Sequence, residues 1–416
     1  MKMKNFLALF VFTVSSSALY SSAMANDETY LPAAAMVDRA LDNYPVYRQA
    51  TQNIETSRAE AQGLRYGPHE LTLQGGYTRR YVDGFGSFGE YDTTLSKGVR
   101  IRGKAKLDSE TGDLGIEISE NIAEDARHQT ALLLKQVWMD WLLAAETRAQ
   151  REESTALFRK ALSAIERRRD LSDASDLDVG LARSAVEKAV SELSAAQGEE
   201  LLAKEMITSM FPEIIPPPRA PKLPAPDRPS DMQNWSQMVV SRSHEVTIAE
   251  KQAEQLGVIA QRTKLDKYAD PEVGLRLFSE RGGEETGFGV QISMPLGVKK
   301  RKSLAARDRS KAKAADYAAA FTRREVGMVA IRDVKNVQSA YQTWRAAQTA
   351  LQSSQYVIEK IRRSYELGAH DYAQLLVAEQ QHLESIEAET LARHKAHNAW
   401  LQLRIDAHEL WLDNIH

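Results

Sequence analysis

Proline placement limits the folds open to this chain more than any other feature. Thirteen prolines occur in 416 residues; none lies between Pro68 and Pro212, none follows Pro295, and eight fall within Pro212–Pro229. A proline inside a helix removes a hydrogen bond and clashes with the preceding turn, at a cost of about 3 kcal/mol. The two proline-free stretches can therefore form helices of unusual length. From Gly103 to Asp170 and from Val298 to Glu366 they are built from Ala, Glu, Arg, Lys, Leu and Gln, all good helix formers. Either tract would run roughly 100 Å if continuous. The proline cluster between them reads as an extended, stiff connector.

A central connector flanked by two such tracts prompts a search for duplication. Residues 46–66 precede a strand-like stretch starting near Leu71, and residues 246–268 precede another near Val273. Each long tract carries an aromatic pair at the same spacing, Trp138/Trp141 in the first and Tyr341/Trp344 in the second. At helical spacing these pairs read as core rather than as a stacking site for a sugar or base. A short break and a second helical segment close each half. In the second tract Ala330, Val334, Val337, Tyr341, Trp344 and Leu351 follow a coiled-coil seam, suited to lateral packing of long helices. The expected organisation is residues 1–25 as a signal sequence, 26–211 as a first repeat, 212–230 as linker and 231–416 as a second repeat. Each repeat holds a helix, a hairpin (about 70–102 and 272–296), a long helix, a turn (171–175 and 367–370) and a return helix.

The four short segments alternate with period two. Leu71, Leu73, Tyr77 and Tyr81 oppose Thr72, Gln74, Thr78 and Arg80; Tyr91, Leu95, Val99 and Ile101 share a face with Thr93 and Lys97. Val273, Leu275 and Leu277 oppose Glu272, Gly274 and Arg276, and Phe288, Val290, Ile292 and Met294 oppose Gly289, Gln291 and Ser293. Val82–Glu90 and Arg281–Glu285 read as glycine-rich turns. Alternation of this kind over about ten residues is the signature of a membrane-spanning strand, although half-buried strands of soluble proteins share it. Four strands close no barrel, because the smallest membrane barrels use about eight, and lipid tolerates no open edge. If the hairpins enter a bilayer, the barrel is shared between subunits, and three subunits supply twelve strands.

The N-terminus fits that destination. Lys2 and Lys4, the apolar run Phe6 to Val14 and Ala23-Met24-Ala25 have the layout of a secretory signal with cleavage after Ala25. The formal charge of −3 loses two positive charges with Lys2 and Lys4, and basic and acidic residues are interspersed, which argues against nucleic-acid binding. With no cysteine, there is no thiolate metal site, no thiol nucleophile and no lipidation after the cleavage site.

The pattern resembles the outer-membrane factor (TolC-like) family over essentially the whole mature chain, most nearly its heavy-metal branch of the cobalt–zinc–cadmium or copper type. The most specific local match is Arg362-Arg363-Ser364-Tyr365-Glu366-Leu367-Gly368-Ala369, followed by Asp371, Leu375-Leu376 and Ala378. It is similar to the family's tyrosine–glycine turn before a Leu/Ala-rich return helix. In the first half Leu171–Asp176 takes that place, with Asp173 where the family often has glycine. The resemblance implies a mainly α fold with a small β part: a homotrimer whose twelve-stranded barrel in outer-membrane lipid continues as a helical tunnel across the periplasm. The tip turns, Leu171, Ser172, Asp173, Ala174 and Ser175 with Leu367, Gly368, Ala369 and His370, would dock a periplasmic adaptor coupled to an inner-membrane pump of the RND type. The implied function is a passive exit duct for heavy-metal cations. Efflux of organic compounds and type I protein secretion are alternatives within the family, and a soluble periplasmic coiled-coil scaffold is the alternative outside it. In the best-known member a carboxylate ring constricts the tip six and nine residues after the turn glycine. Those positions here are Gln374 and Val377, so Asp176, Asp178, Asp371 and Gln374 are the candidates for lining the tip. Asp176 and Asp371 equally suit the start of a helix.

Nine histidines occur, five of them after His370. His394 and His397, three apart on a helix, share a face. Two imidazoles without a third ligand make a weak metal site, so the expectation is a solvated helix face. No phosphate loop, nucleophile elbow or H-E-x-x-H motif occurs; no enzymatic activity and no cofactor are expected.

Overall fold

A computed structural model describes residues 29–228 and 230–412; the expected signal sequence at 1–25 lies outside the described residues. Helices α1 (Ala34–Asn43) and α2 (Pro45–Tyr66) lead into strands β1 (Leu71–Val82) and β2 (Gly86–Gly98), then α3 (Lys104–Asp170) and α4 (Asp176–Met210). Beyond the connector come α5 (Met232–Arg242), α6 (His244–Leu265), β3 (Glu272–Glu280), β4 (Glu285–Ser293), α7 (Lys299–Glu366) and α8 (Tyr372–Asp406). The proline-free tracts are single helices of 67 and 68 residues, about 100 Å each. Their return helices have 35 residues each. No helix among the described residues is long and apolar enough to cross a membrane.

The chain punctuates these helices with local chemistry. Pro45 opens α2 at a position where its missing N–H costs nothing. Gly67, at φ 81°, stops it, in a conformation that disfavours any residue with a Cβ. The four strands form one antiparallel sheet in the order β1-β2-β3-β4. Helices α2, α3, α6 and α7 pack side by side in that same order, so each strand is continued by the helix that precedes or follows it. Residues 83–85 alone turn the first hairpin, because Val82 pairs with Gly86 and Tyr77 with Tyr91. The stretch Gly86–Glu90, expected in the loop, is strand held by backbone hydrogen bonding without side-chain alternation. At the other end β2 stops at Gly98, short of the expected Ile101, because Arg102 and Gly103 turn through positive φ.

The largest apolar core sits partway along the molecule. There Val37 and Leu41 of α1, Leu134, Trp138, Trp141 and Leu142 of α3, Ile207 of α4 and Leu401 and Ile405 of α8 pack together. Phe211, Ile214 and Leu223 of the connector are buried in the same cluster. Full burial of one such side chain stabilises by about 1.5–3 kcal/mol. On the α7 seam Ala330, Val334, Val337 and Trp344 are buried, while Tyr341 and Leu351 are half-buried. Toward the turns, Ala182, Ala185 and Ala189 let α4 approach Phe158 and Ile165 of α3 closely.

Candidate functional site

The sheet is the first unusual surface. Its register places Leu73, Leu95, Leu275 and Val290 in one row across all four strands. Leu71, Lys97, Val273 and Ile292 form the row nearest the helices, and Leu277 and Phe288 pair in a third. Every one of these side chains is exposed; Phe288 keeps 79% of its surface. The opposite face carries Thr72, Gln74, Thr94, Ser96, Arg276 and Gln291. Ser96 hydrogen-bonds Glu272 there, and Arg80 pairs with Glu90 at 2.7 Å. β1 and β4 each leave one edge unpaired. An apolar face of this size and two open edges are unstable against water and against lipid alike unless further strands close them.

Beneath the sheet the helix ends are tied by a polar network that pattern reading missed. Lys104, 1% exposed, donates from Nζ to the Asp270 carboxylate at 2.9 Å and to the Tyr268 carbonyl at 2.7 Å. Asp108 accepts from Arg100 at 2.8 Å and from Arg262 at 2.6 Å. Burial pushes the Asp270 carboxyl up, but hydrogen bonds from Lys104, His69 and the Ile101 N–H outweigh it and hold the group below the usual carboxylate range. Lys104 and Asp270, like Asp108 and Arg262, are more than 150 positions apart in the chain, so no local spacing could have paired them; only Arg100 and Asp108 are near neighbours in sequence.

At the other end both turns have one design. Leu171 and Leu367 end α3 and α7; Ser172 and Gly368 follow in the left-handed region, φ 63° and 75°. The next N–H groups, of Asp173 and Ala369, return to Arg168 and Ser364 carbonyls at 2.8 and 3.0 Å. The left-handed position of the first turn is therefore Ser172, one residue before Asp173, which stands where the resembled family often has glycine. Ser175 and Asp371 then cap α4 and α8, each in a reciprocal box with the residue three further on, Asp178 and Gln374. Asp371 accepts from the Gln374 N–H at 2.8 Å, and Asp178 from the Ser175 N–H at 2.9 Å. Asp176 is exposed in the first turn of α4. Ala174 and His370 are half-buried, and the His370 ring contacts the Ser364 hydroxyl at 2.6 Å. Leu171, Leu177 and Leu367 are exposed apolar side chains at this end.

Two contacts sequence reasoning overlooked brace the turns. Arg168 reaches from α3 to the Tyr365 hydroxyl at 2.6 Å, while its Nε holds Asp173 at 2.7 Å. Arg362 grips Glu379 with two hydrogen bonds at 2.6 and 2.7 Å. Tyr372, buried beside Tyr365, is pushed up to about 12 by burial and by the neighbouring Tyr365, Glu379 and Asp178.

His394 and His397 are buried, which corrects the expectation of a solvated face. His394 Nε2 meets Glu146 at 2.8 Å, and His397 Nε2 donates to the Pro224 carbonyl at 2.9 Å. Arg393 adds hydrogen bonds to Glu146 and to the Leu223 carbonyl, so this face of α8 anchors the connector. Among the described residues no group of three or more candidate ligands is placed to hold a metal ion.

No family model and no curated protein matches the sequence. Solved structures do. The chain is similar to CusC, described as forming a transmembrane channel, with TM-score 0.71 and 16% identity over 90% of this chain and 91% of that one. It is similar to the CmeC outer membrane channel of Campylobacter jejuni, with TM-score 0.71 and 12% identity over 98% and 94%. It is also similar to the open MtrE outer membrane channel of Neisseria gonorrhoeae, with TM-score 0.69 and 15% identity over 91% and 89%. What these likenesses establish is architecture: the chain has the fold of outer-membrane channel proteins, long helical hairpins crowned by a small antiparallel sheet.

Proposed function

We propose that the chain is one third of an outer-membrane exit duct. Three copies contribute four strands each to a twelve-stranded barrel, and their helices continue it as a tunnel in the periplasm. The two halves of the chain are structural repeats in this reading, supported by their matching element order and near-equal helix lengths. The observation that carries the reading is the four-stranded sheet with one predominantly apolar, exposed face, interrupted by Thr93 and Lys97, one polar face and two open edges. A barrel puts the first face in lipid and the second around water, and leaves no edge. A soluble scaffold would bury the apolar face on protein, and this chain leaves it bare.

The tip turns are the docking surface for a periplasmic adaptor, with Leu171 and Leu367 as matching apolar contacts and Asp176, Asp178, Asp371 and Gln374 lining the narrow end. An RND-type inner-membrane pump supplies the driving force, and the duct itself catalyses nothing. Heavy-metal cations are the solutes to test first. Fractionation tests the core of the proposal: recovery in the outer membrane, with a detergent-corrected mass near three subunits, is the expected result. A detergent-free periplasmic monomer would refute it. Sensitivity of a deletion strain to zinc, cobalt, cadmium and copper salts, restored by the intact chain, tests the solute; sensitivity confined to organic compounds reassigns it.

A further inference from the structure

The polar network under the sheet neutralises its buried and half-buried carboxylates; the exposed groups left at this level include Glu70, Glu110 and Glu272 but are dominated by lysines. Asp108, Asp266 and Asp270 are all paired with Arg100, Lys104 or Arg262. By contrast the side chains of Lys106, Lys264, Lys299, Lys300 and Lys302 are exposed and have no hydrogen bond or ion pair among the described residues. The first stretch of α7 is the extreme case: residues 297–315 carry eight Lys or Arg, four of them at positions 299–302, against one carboxylate, Asp308. Asp308 is itself buried and held by Arg307 at 2.6 Å. A helix N-terminus already carries partial positive charge, so placing four cations at Lys299–Lys302 works against the folding of α7 by itself. Such an arrangement is explained if an external anion offsets it.

The location selects the anion. Lys299–Lys302 directly follow β4 and the exposed apolar residues Met294 and Leu296, the latter 83% exposed. Lys97 lies in the sheet row nearest the helices, on the apolar face, between Leu71 and Val273. A lysine there can lay its stem along hydrocarbon and extend its ammonium toward the headgroup layer. Tyr66, at the end of α2, is exposed at the same level, as aromatic residues at a membrane boundary are. Apolar face, then aromatic, then unpaired cations is the order met on passing from hydrocarbon into phosphate.

We infer that the helix-side rim of the sheet is a basic collar that binds the headgroups of anionic phospholipid in the periplasmic leaflet. The inference rests on the duct reading. Lys299, Lys300 and Lys302 make direct contact; Arg309 and Lys313, about 15 and 21 Å further along α7 at 1.5 Å per residue, act only through the field, which decays over about 8–10 Å in ordinary salt.

The test uses the full detergent-solubilised protein, titrated with phosphatidylglycerol or phosphatidylcholine and read by native mass spectrometry, with its oligomeric mass taken from the same spectra. The expected result is at least fivefold more phosphatidylglycerol than phosphatidylcholine retained in low salt, lost in 0.5 M salt. Combined Lys299→Gln, Lys300→Gln and Lys302→Gln should abolish the preference at unchanged trimer mass, and the matching Lys→Arg set should keep it. Equal retention of the two lipids, or a preference intact in the Gln variant, overturns the collar. Competition by inorganic phosphate at millimolar concentration would instead assign a site for a free anion and also overturn it. A monomer that retains neither lipid sinks the duct reading together with the collar, whereas a trimer without preference sinks the collar alone.

Discussion

Ser172 and Gly368 occupy equivalent corners of the two tip turns, yet only one is glycine. A residue with a Cβ in the left-handed region gives up about 1–2 kcal/mol relative to the right-handed one. Ser172→Gly should therefore stabilise the first hairpin by about 1 kcal/mol and Gly368→Ala should destabilise the second by a similar amount, both read from denaturation midpoints of the detergent-solubilised protein. His408 allows a prediction about pH. Burial and the neighbouring His128, His244 and Arg242 push it down to about 4, from an ordinary 6.5. Below 6.5 the unfolded chain takes up a proton that the folded one refuses, so its contribution is complete above pH 6.5 and is lost as pH falls toward 4. Glu146, held near 2 because hydrogen bonds from His394 and Arg393 outweigh burial, adds a second loss from about 4.5 downward. His408→Asn, chosen because His408 itself sits at φ 55° and Asn tolerates that region, should flatten the change in melting temperature between pH 6.5 and 4 and leave the lower arm in place. An unaltered upper arm would show that other groups set it.

Among the elements, the sheet is where one substitution should separate lipid from water. Leu275 and Val290 pair in the middle of the apolar face, and Gln291 sits beside them on the polar face. A Lys or Arg facing hydrocarbon at the midplane costs roughly 2–4 kcal/mol, while substitutions facing a lumen do not. Val290→Arg should thus cut the yield of assembled oligomer in the outer membrane severalfold, and Gln291→Lys should leave it nearly unchanged, both measured by immunoblot of membrane fractions. Equal losses would mean that both faces are packed on protein. The long helices pose the opposite problem. Individually they bury little, and their stability comes from lateral packing of seams such as Ala330–Trp344, as helices do generally.

For the whole molecule, the order of helices copies the order of strands, so the sheet and the four helices beneath it form one continuous wall. A single chain provides a sheet with two bare edges; in the proposed duct, closure comes from the other two copies. The buried ion pairs at the sheet–helix rim hold successive helices at a fixed offset beneath their strands. The connector, pinned through Leu223 and Pro224 to Arg393 and His397 of α8, wraps the middle of that wall rather than spanning between separate bodies.

Local regularities made much of this legible beforehand. Proline-free composition marks α3 and α7 because helix formation is a property of neighbouring residues, and alternation marks the four strands because side chains of a strand point to opposite faces in turn. The start of β2 escaped pattern reading because Gly86 and Gly89 carry no side chain to alternate, and its end because the positive φ of Arg102 and Gly103 leaves no periodic mark. His394 and His397 were misread because a polar residue on a helix gives no local sign of being buried; their partners, Glu146 and Pro224, lie more than 170 positions away. Lys104 with Asp270 and Arg168 with Tyr365 are likewise pairs more than 160 positions apart. The amino-acid order by itself determined which segments are helix, strand and turn, through interactions spanning a few residues. Only the tertiary structure decided which charges are neutralised and which stay bare, because pairing requires remote segments to be brought within about 3 Å and shielded from water.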